Sequence, residues 1–124
     1  MRHYRVTLSD VIVAHDEALS YGGRPGVLNL SGIQSAIGRP YSGYHRQIAR
    51  KAAALLESLA QNHGFVDGNK RTALLVTLLM IERCGYLLTL AADEWIDDVV
   101  VAVAEGKMDF DALVVWFAHR LRKT

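Results

Sequence analysis

Apolar side chains recur at three- and four-residue spacing along most of the chain, which is the pattern of amphipathic helices packed around a core. The pattern is clearest over residues 45–62. Residues 69–83 are apolar on more than one face, so we expect that helix to be central. Further helices are predicted over residues 7–19, 30–37, 93–104 and 109–122, and a brief extended segment over residues 86–90. The sequence therefore predicts an all-α fold, a compact bundle of about six helices.

Short breaks separate these helices. Residues 21–26 form a glycine-rich loop, and the Arg39-Pro40 pair interrupts the chain again. Residues 63–68 separate the two strongest helices. Asp109 is a predicted N-cap, as is either Thr7 or Ser9. Because no repeat, linker or low-complexity tract divides the chain, we predict a single domain over residues 1–124.

Composition narrows the functional classes. The chain has 124 residues, of which 51% are hydrophobic, and a formal net charge of +1, which argues against a dedicated nucleic-acid binder. A single cysteine, Cys84, excludes an internal disulfide framework and favours a reducing, cytoplasmic setting. The longest charge-free apolar run, residues 72–81, is too short for a membrane span, and no apolar stretch follows the N-terminus as in a signal peptide.

Candidate chemistry is concentrated in residues 63–71. Gly68 permits a tight turn into the following helix, whose first backbone N–H groups lack intrahelical acceptors. Lys70 and Arg71 place two cations at that same helix end, where the dipole already favours negative charge. Cations there are unfavourable unless an anion lies among them, so the segment indicates a phosphate site.

Two other groups in this segment suit phosphate chemistry. His63 can accept a proton from an attacking hydroxyl, and Asp67 supplies a hard oxygen for Mg²⁺ shared with nucleotide phosphates. Phe65 alternates with the polar positions and is expected in the core. The segment is thus typical of phosphoryl or nucleotidyl transfer. The plainer interpretation is a helix–loop–helix connector, with Asp67 as a cap and the cations on the surface.

The segment resembles the Fic/Doc family motif, H-x-F-x-[DE]-[GA]-N-[GK]-R. The matching positions are His63, Phe65, Asp67, Gly68, Asn69, Lys70 and Arg71. Residues 21–26, the Arg39-Pro40 pair and residues 69–74 look like the death-on-curing (Doc) branch, as do residues 1–3 and 15–16. The resemblance covers nearly the whole chain and implies an all-α fold whose motif loop leads into the central helix.

Two departures from the common Fic pattern distinguish AMP transfer from protein phosphorylation. Most Fic proteins transfer AMP from ATP to a hydroxyl side chain, with glycine at the position of Lys70 and a second arginine at that of Leu74. Doc-type toxins have the lysine, lack the second arginine and act as protein kinases. The resemblance therefore implies ATP- and Mg²⁺-dependent phosphorylation of a threonine of elongation factor Tu, which arrests translation.

The resemblance also assigns roles within the motif. His63 is the base, Asp67 is the metal ligand, and Gly68, Asn69, Lys70 and Arg71 form the phosphate cradle. The inhibitory helix pattern [ST]-x-x-x-E-[GN] of many Fic proteins is absent, because Val101 stands four residues before the Glu105-Gly106 pair. Doc toxins are restrained in trans by a small antitoxin, which is the partner we expect here. We expect no membrane partner and no direct nucleic-acid binding.

Alternatives remain open at this stage. A Fic-type adenylyltransferase would use the same base and cradle, and a catalytically silent binding module would keep only the fold. The scattered histidines His3, His45 and His119 are not expected to bind metal, and His15 is expected to be a structural hydrogen-bonding residue. Residues 39–44 are either a flap that aligns the target or an ordinary polar loop.

Overall fold

The fold is described by a computed structural model for residues 3–43 and 45–124. It contains six α-helices, a short 3₁₀ helix and two short strands. In chain order these are α1 (Leu8–Leu19), α2 (Leu30–Gly38), the 3₁₀ helix (Arg39–Tyr41), α3 (Ile48–Gln61), α4 (Asn69–Arg83), β1 (Tyr86–Leu88), α5 (Ile96–Ala104), α6 (Phe110–Arg120) and β2 (Leu121–Lys123). The predicted helical class is confirmed, with a small sheet in addition.

Polar caps begin three of the helices. Thr7 and Asp10 form a capping box at α1, in which the Thr7 hydroxyl accepts from the Asp10 N–H and the Asp10 carboxylate accepts from the Thr7 N–H. Asn29 caps α2, and Asp109 caps α6 as predicted. These bonds satisfy N–H groups that have no acceptor within the helix.

Helices α3 and α4 form the centre of the molecule. α3 packs against α2, α4, α5 and α6, and α4 lies in contact with α1 as well as α3. Alanines such as Ala52, Ala53 and Ala54 are fully buried on α3, so neighbouring helices approach it closely. Buried side chains from all six helices join one core cluster, which includes Val11, Ile33, Leu56, Met80, Val103 and Phe117. The motif segment therefore connects two helices that are both packed against several others.

The C-terminal end of the chain differs from the prediction. Residues 109–122 were predicted to be helical, but α6 ends at Arg120 and Leu121–Lys123 pair antiparallel with Tyr86–Leu88. The Thr124 N–H and hydroxyl both donate to the Gly85 carbonyl and extend this pairing. The local sequence is compatible with a helix or a strand at residues 121–123. The strand forms because β1 supplies hydrogen-bond donors and acceptors that the last turn of a helix would lack.

Two helices also begin later than their sequence patterns indicate. α3 begins at Ile48 and not at residue 45, and α5 begins at Ile96 and not at residue 93. Before α5, the Glu94 carboxylate accepts from the Arg120 guanidinium and from the Ala91 N–H, so that it belongs to a turn instead of a helix. Among residues 3–43 and 45–124, no helix has the length and apolar character required to cross a membrane.

Candidate active site

The motif loop is held in an unusual backbone conformation between α3 and α4. His63 has a φ of 48°, which is uncommon for a residue with a side chain, and Gly68 has a φ of 77° immediately before α4. Gly64 packs so closely on α2 that a Cβ there would overlap the Ile33 side chain. The loop is thus a tight turn fitted to its surroundings.

Asn69 fastens this turn from the first position of α4. Its Oδ1 accepts from the Phe65 N–H at 3.0 Å, and its Nδ2 donates to the Phe65 carbonyl at 2.9 Å. The amide is therefore engaged with the backbone of its own loop. As a member of the predicted phosphate cradle, Asn69 has its backbone N–H to offer, while its side chain holds the loop closed.

A buried histidine supports the loop from beneath. His15, on α1, is 4% exposed, and its ring stacks on that of Phe65 with 3.7 Å between centroids. Its Nε2 lies 2.9 Å from the Asp67 carbonyl oxygen, which can only accept, so the Nε2–H tautomer is the donor. The predictions of a structural hydrogen bond for His15 and of a buried Phe65 are both confirmed.

Asp67 presents its carboxylate at the exposed edge of the loop. Oδ2 accepts from the Arg24 N–H at 3.1 Å, and Oδ1 accepts from the Gly68 N–H at 2.9 Å. The hydrogen bond from the Arg24 N–H, followed by that from Gly68, lowers the pKa of Asp67 and keeps it ionised. Each oxygen retains a lone pair, so the group can still coordinate a hard cation.

The predicted site residues meet at a cavity of about 240 Å³ between the motif loop and α5. Five of the six line it, namely His63, Asp67, Gly68, Asn69 and Lys70. The start of α4 has no side-chain cap and no acidic residue in its first turn. An anion in this cavity would therefore meet unpaired helix N–H groups and the Lys70 ammonium, which is the environment that phosphate favours.

Arg71 is placed elsewhere. Its guanidinium donates to the Ala18 carbonyl at the end of α1, at 3.3 Å, and lies 4.8 Å from the centre of the Tyr21 ring. Arg71 is thus not brought into the cavity with Lys70, although it follows Lys70 in the motif. It connects α4 to α1 and to the start of the next loop.

Sequence reasoning missed the contribution of α5. Val101, Ala104 and Glu105 form the wall of the cavity opposite the motif loop. Glu105 forms an exposed ion pair with Lys107 at 3.0 Å. In the sequence, the Glu105-Gly106 pair was considered only as a possible inhibitory pattern, which it does not match. Its place beside the motif could not be predicted, because helical periodicity does not show which loop the end of a helix will face.

The loop at residues 21–29 lies against the motif, which the sequence did not predict. Val27 forms an antiparallel bridge with Phe65, the Val66 N–H donates to the Gly26 carbonyl, and the Leu28 N–H donates to the Gly64 carbonyl. Residues 21–30 are all exposed.

Residues 39–43, for which a flap and a polar loop were the two alternatives, are packed against α3 and the N-terminal segment. Arg39–Tyr41 form a 3₁₀ helix, and Arg39 donates to Glu57 and Ser58 on α3. Tyr41 bonds to the N-terminal segment through Val6 and Tyr4. Tyr44 lies outside the described residues. The segment that lies directly beside the motif is residues 21–29.

No preformed metal centre is found within the described ranges: no group of three or more His, Cys, Asp or Glu side chains is suited to hold an ion. Asp67 fits a different kind of metal site, in which Mg²⁺ binds one protein carboxylate and takes its remaining ligands from phosphate oxygens and water. It is exposed, ionised and at the rim of the cavity.

Comparison with known proteins identifies the family to which this chain is similar. The model of the Fic/DOC family matches residues 5–81, which include the whole motif. The chain is 34% identical to Toxin Doc of Mycolicibacterium smegmatis, over 88% of this chain and 87% of that protein. It is 30% identical to Protein kinase doc of Escherichia phage P1, over 91% of this chain and 90% of that protein.

Proposed function

This chain belongs to the Fic/DOC family, and we propose that it is a Doc-type toxin acting as an ATP-dependent protein kinase. Its substrate is a serine or threonine hydroxyl of a translation factor, with a threonine of elongation factor Tu as the implied target. The names of its two relatives, one a toxin and the other a protein kinase, support this proposal.

The observation that carries the proposal is the convergence of His63, Asp67 and Lys70 on one cavity at the uncapped start of α4. His63 is exposed and available to a hydroxyl brought in from outside. In the transfer step the hydroxyl oxygen forms a bond to the γ-phosphorus, the bond from that phosphorus to the β–γ bridging oxygen breaks, and ADP leaves. His63 takes the hydroxyl proton.

The chain's own charges assist this step. Lys70 and the first N–H groups of α4 offset the negative charge on the phosphate oxygens. The Asp67 carboxylate would hold Mg²⁺, which would supply further neutralisation of the phosphate charge. The N–H groups of Arg24 and Gly68 hold that carboxylate in place, so the metal ligand is already oriented.

The positions of the cations favour phosphoryl over AMP transfer. Lys70 is the single cationic side chain that lines the cavity among the described residues. Arg71 is turned to Ala18 and Tyr21, and Leu74 packs against the core where Fic adenylyltransferases have a second arginine. With no arginine pair to hold the terminal phosphates deep in the cradle, the pose with the γ-phosphate toward His63 is favoured.

We also propose that a small antitoxin protein restrains the site in trans. Helices α1 and α4 leave a groove of about 400 Å³ with an apolar floor that includes Leu75, Leu78 and Leu79. Glu17 and Glu82 lie at its edge, and Val13 on α1 is 63% exposed there. An amphipathic segment with basic side chains beside its apolar ones fits this groove and would fold as it docks.

Isotopic labelling of the target tests the kinase proposal. The purified chain should transfer label from γ-labelled ATP to elongation factor Tu and leave label from α-labelled ATP in solution. The target should gain about 80 Da, the mass of a phosphoryl group, and not about 329 Da, the mass of AMP. His63→Ala should fold normally, and its rate of phosphoryl transfer should be about 10²–10⁴-fold lower.

The rival functions give different results in the same assay. AMP on the target would overturn the kinase assignment in favour of a Fic-type adenylyltransferase that uses the same base. No transfer by the unaltered chain to elongation factor Tu or to a cell extract, together with no effect on growth, would favour the silent binding module. Lys70→Gly should weaken phosphorylation, because it removes the cation that lines the cavity.

A further inference from the structure

A second, larger cavity lies near the other end of α3. Its volume is about 780 Å³, and it is an open cavity lined by the N-terminal segment, the 3₁₀ helix, the residues His45 and Arg46 before α3, and the end of α4. His63 follows the C-terminal end of α3, while Lys51 stands in its first turns. An α-helix of this length spans about 20 Å, so the two cavities are far apart.

Basic side chains from four parts of the chain gather at this cavity. They are His3, Arg5, His45, Arg46, Lys51 and Arg83. Among the described residues, the one of these with a carboxylate partner is Arg83, which lies 3.7 Å from Asp10. Arg5, Arg46 and Lys51 have none. Cations brought together without counter-charges repel one another, so the cavity favours an anion.

Two of these cations are held in place by Tyr41. Its hydroxyl accepts from the Val6 N–H at 3.0 Å and donates to the Tyr4 carbonyl at 2.6 Å, which fixes the ring between the 3₁₀ helix and the N-terminal segment. The Arg5 guanidinium lies 4.9 Å from the ring centre and the Lys51 ammonium 5.6 Å. The positive groups of Arg5 and Lys51 therefore lie close to one aromatic ring that is itself fixed in place.

The two histidines at the cavity both have lowered pKa values, chiefly because they are buried, and Lys51 is the one charge among the causes that also lines the cavity. The Lys51 ammonium donates to His3 Nδ1 at 2.7 Å, so His3 is the neutral partner. Burial, and then the charge of Lys51, lower the pKa of His3. Burial, and then Arg39 and Arg50, lower the pKa of His45, whose Nδ1 is buried with no hydrogen-bond partner in the structure.

We infer that this basic cavity is a second anion site, which takes a small ligand carrying a di- or triphosphate group. The cavity is more than large enough for a single phosphate, and its volume is within the range of small-molecule sites, about 300–1,000 Å³. Several separate cations suit an anion with several charges. A nucleic acid backbone is convex and needs a basic stripe instead of a concave site, and the net charge of +1 provides little of one.

Histidine NMR on the full chain tests the inference, because each cavity contains its own reporters. Titration with inorganic tripolyphosphate should shift the imidazole signals of His3 and His45 along one saturable curve. His63 reports separately on the motif cavity. A parallel titration with ADP distinguishes the two sources of the phosphate chain: tighter binding of ADP indicates a nucleotide, and equal or weaker binding indicates the phosphate chain alone.

Matched variants locate the binding. In Arg46→Gln combined with Lys51→Gln, affinity at the His3 and His45 signals should fall about tenfold for each cation removed. Arg122→Gln combined with Lys123→Gln removes the same charge from the exposed strand β2 and should leave the affinity unchanged. Lys70→Gln should affect the His63 curve alone. Thermal unfolding monitored by circular dichroism checks that each variant folds.

Three results would overturn the inference. One is that His63 alone responds to tripolyphosphate and to ADP. Another is that the strand β2 control loses as much affinity as the cavity variant, which would indicate general charge attraction. The third is that neither small probe binds while a duplex oligonucleotide shifts His3 and His45 and loses affinity in the cavity variant, which would assign the surface to nucleic acid.

Discussion

The side chains of the motif loop divide into those that hold the loop and those that face the cavity. Asn69 and His15 hold it, through two bonds to Phe65 and one to the Asp67 carbonyl. His63 and Lys70 face the cavity. Asp67 does both, since its carboxylate accepts two backbone N–H groups and also borders the proposed phosphate site. Substitutions at these residues should therefore have separable effects.

Asp67→Asn should weaken Mg²⁺-dependent ATP binding, because the amide loses the negative charge that a hard cation requires. Calorimetry with ATP, in the presence and absence of Mg²⁺, measures this loss. Asp16→Asn removes an exposed carboxylate from α1 and is the matched control. Unchanged Mg²⁺ dependence in Asp67→Asn would leave Asp67 with its loop-holding role alone.

The same carboxylate should make the loop sensitive to acid. Since hydrogen bonds from Arg24 and Gly68 lower its folded pKa, its stabilisation is present above the ordinary aspartate pKa and is lost as the pH falls through the lowered value. The group is fully exposed, so the effect concerns the local order of residues 21–29 more than global unfolding.

At the scale of elements, the motif loop depends on the close approach of α2. Gly64 packs against Ile33, and its carbonyl accepts from the N–H groups of Leu28 and Asn29, the residues that lead into α2. One glycine thus joins the motif loop, the 21–29 loop and a helix. Helix α5 completes the cavity from the opposite side through Val101 and Ala104.

Gly64→Ala should lower the free energy of unfolding by about 1–3 kcal/mol, because the added methyl overlaps Ile33 and forces α2 away from the motif. Activity should fall with it. Gly38→Ala, at the end of α2, meets nothing within 4 Å and should be neutral or stabilising by up to about 1 kcal/mol. Urea unfolding compares the two, and equal stability would show that α2 accommodates the methyl without cost.

At the scale of the whole molecule, three concave surfaces surround the α3–α4 pair, and two of them, the apolar groove and the basic cavity, adjoin at Arg83. The motif cavity faces α5, the apolar groove faces α1, and the basic cavity lies by the N-terminal segment. The proposed antitoxin groove does not include His63 or Lys70. Binding and catalysis should therefore be separable by substitution.

If the proposed antitoxin binds this groove, Val13→Arg should keep the chain toxic but abolish rescue by that antitoxin, because a charged side chain then projects over the apolar floor of the groove. Val115→Arg, an equally simple change at a 55% exposed position on α6, should leave both toxicity and rescue intact. Growth on co-expression and co-purification measure the two properties. Full rescue of Val13→Arg would place the antitoxin elsewhere.

The sequence alone determined the parts of this protein that depend on local signals. Periodic apolar residues located the helices, Asp109 was recognisable as the cap of α6, and the motif at residues 63–71 identified the family and one wall of a cavity. These features rest on neighbours within a few positions, whose spacing can be read directly from the chain.

Tertiary packing alone decided which distant residues meet. The pairing of β2 with β1, the turn of Arg71 toward Ala18 and the approach of the 21–29 loop to Phe65 join positions that no local pattern connects. The basic cavity likewise combines His3 with Lys51 and Arg83. Such contacts are fixed by how the helices pack and by which backbone groups still need partners, so they emerge only when the whole chain is folded.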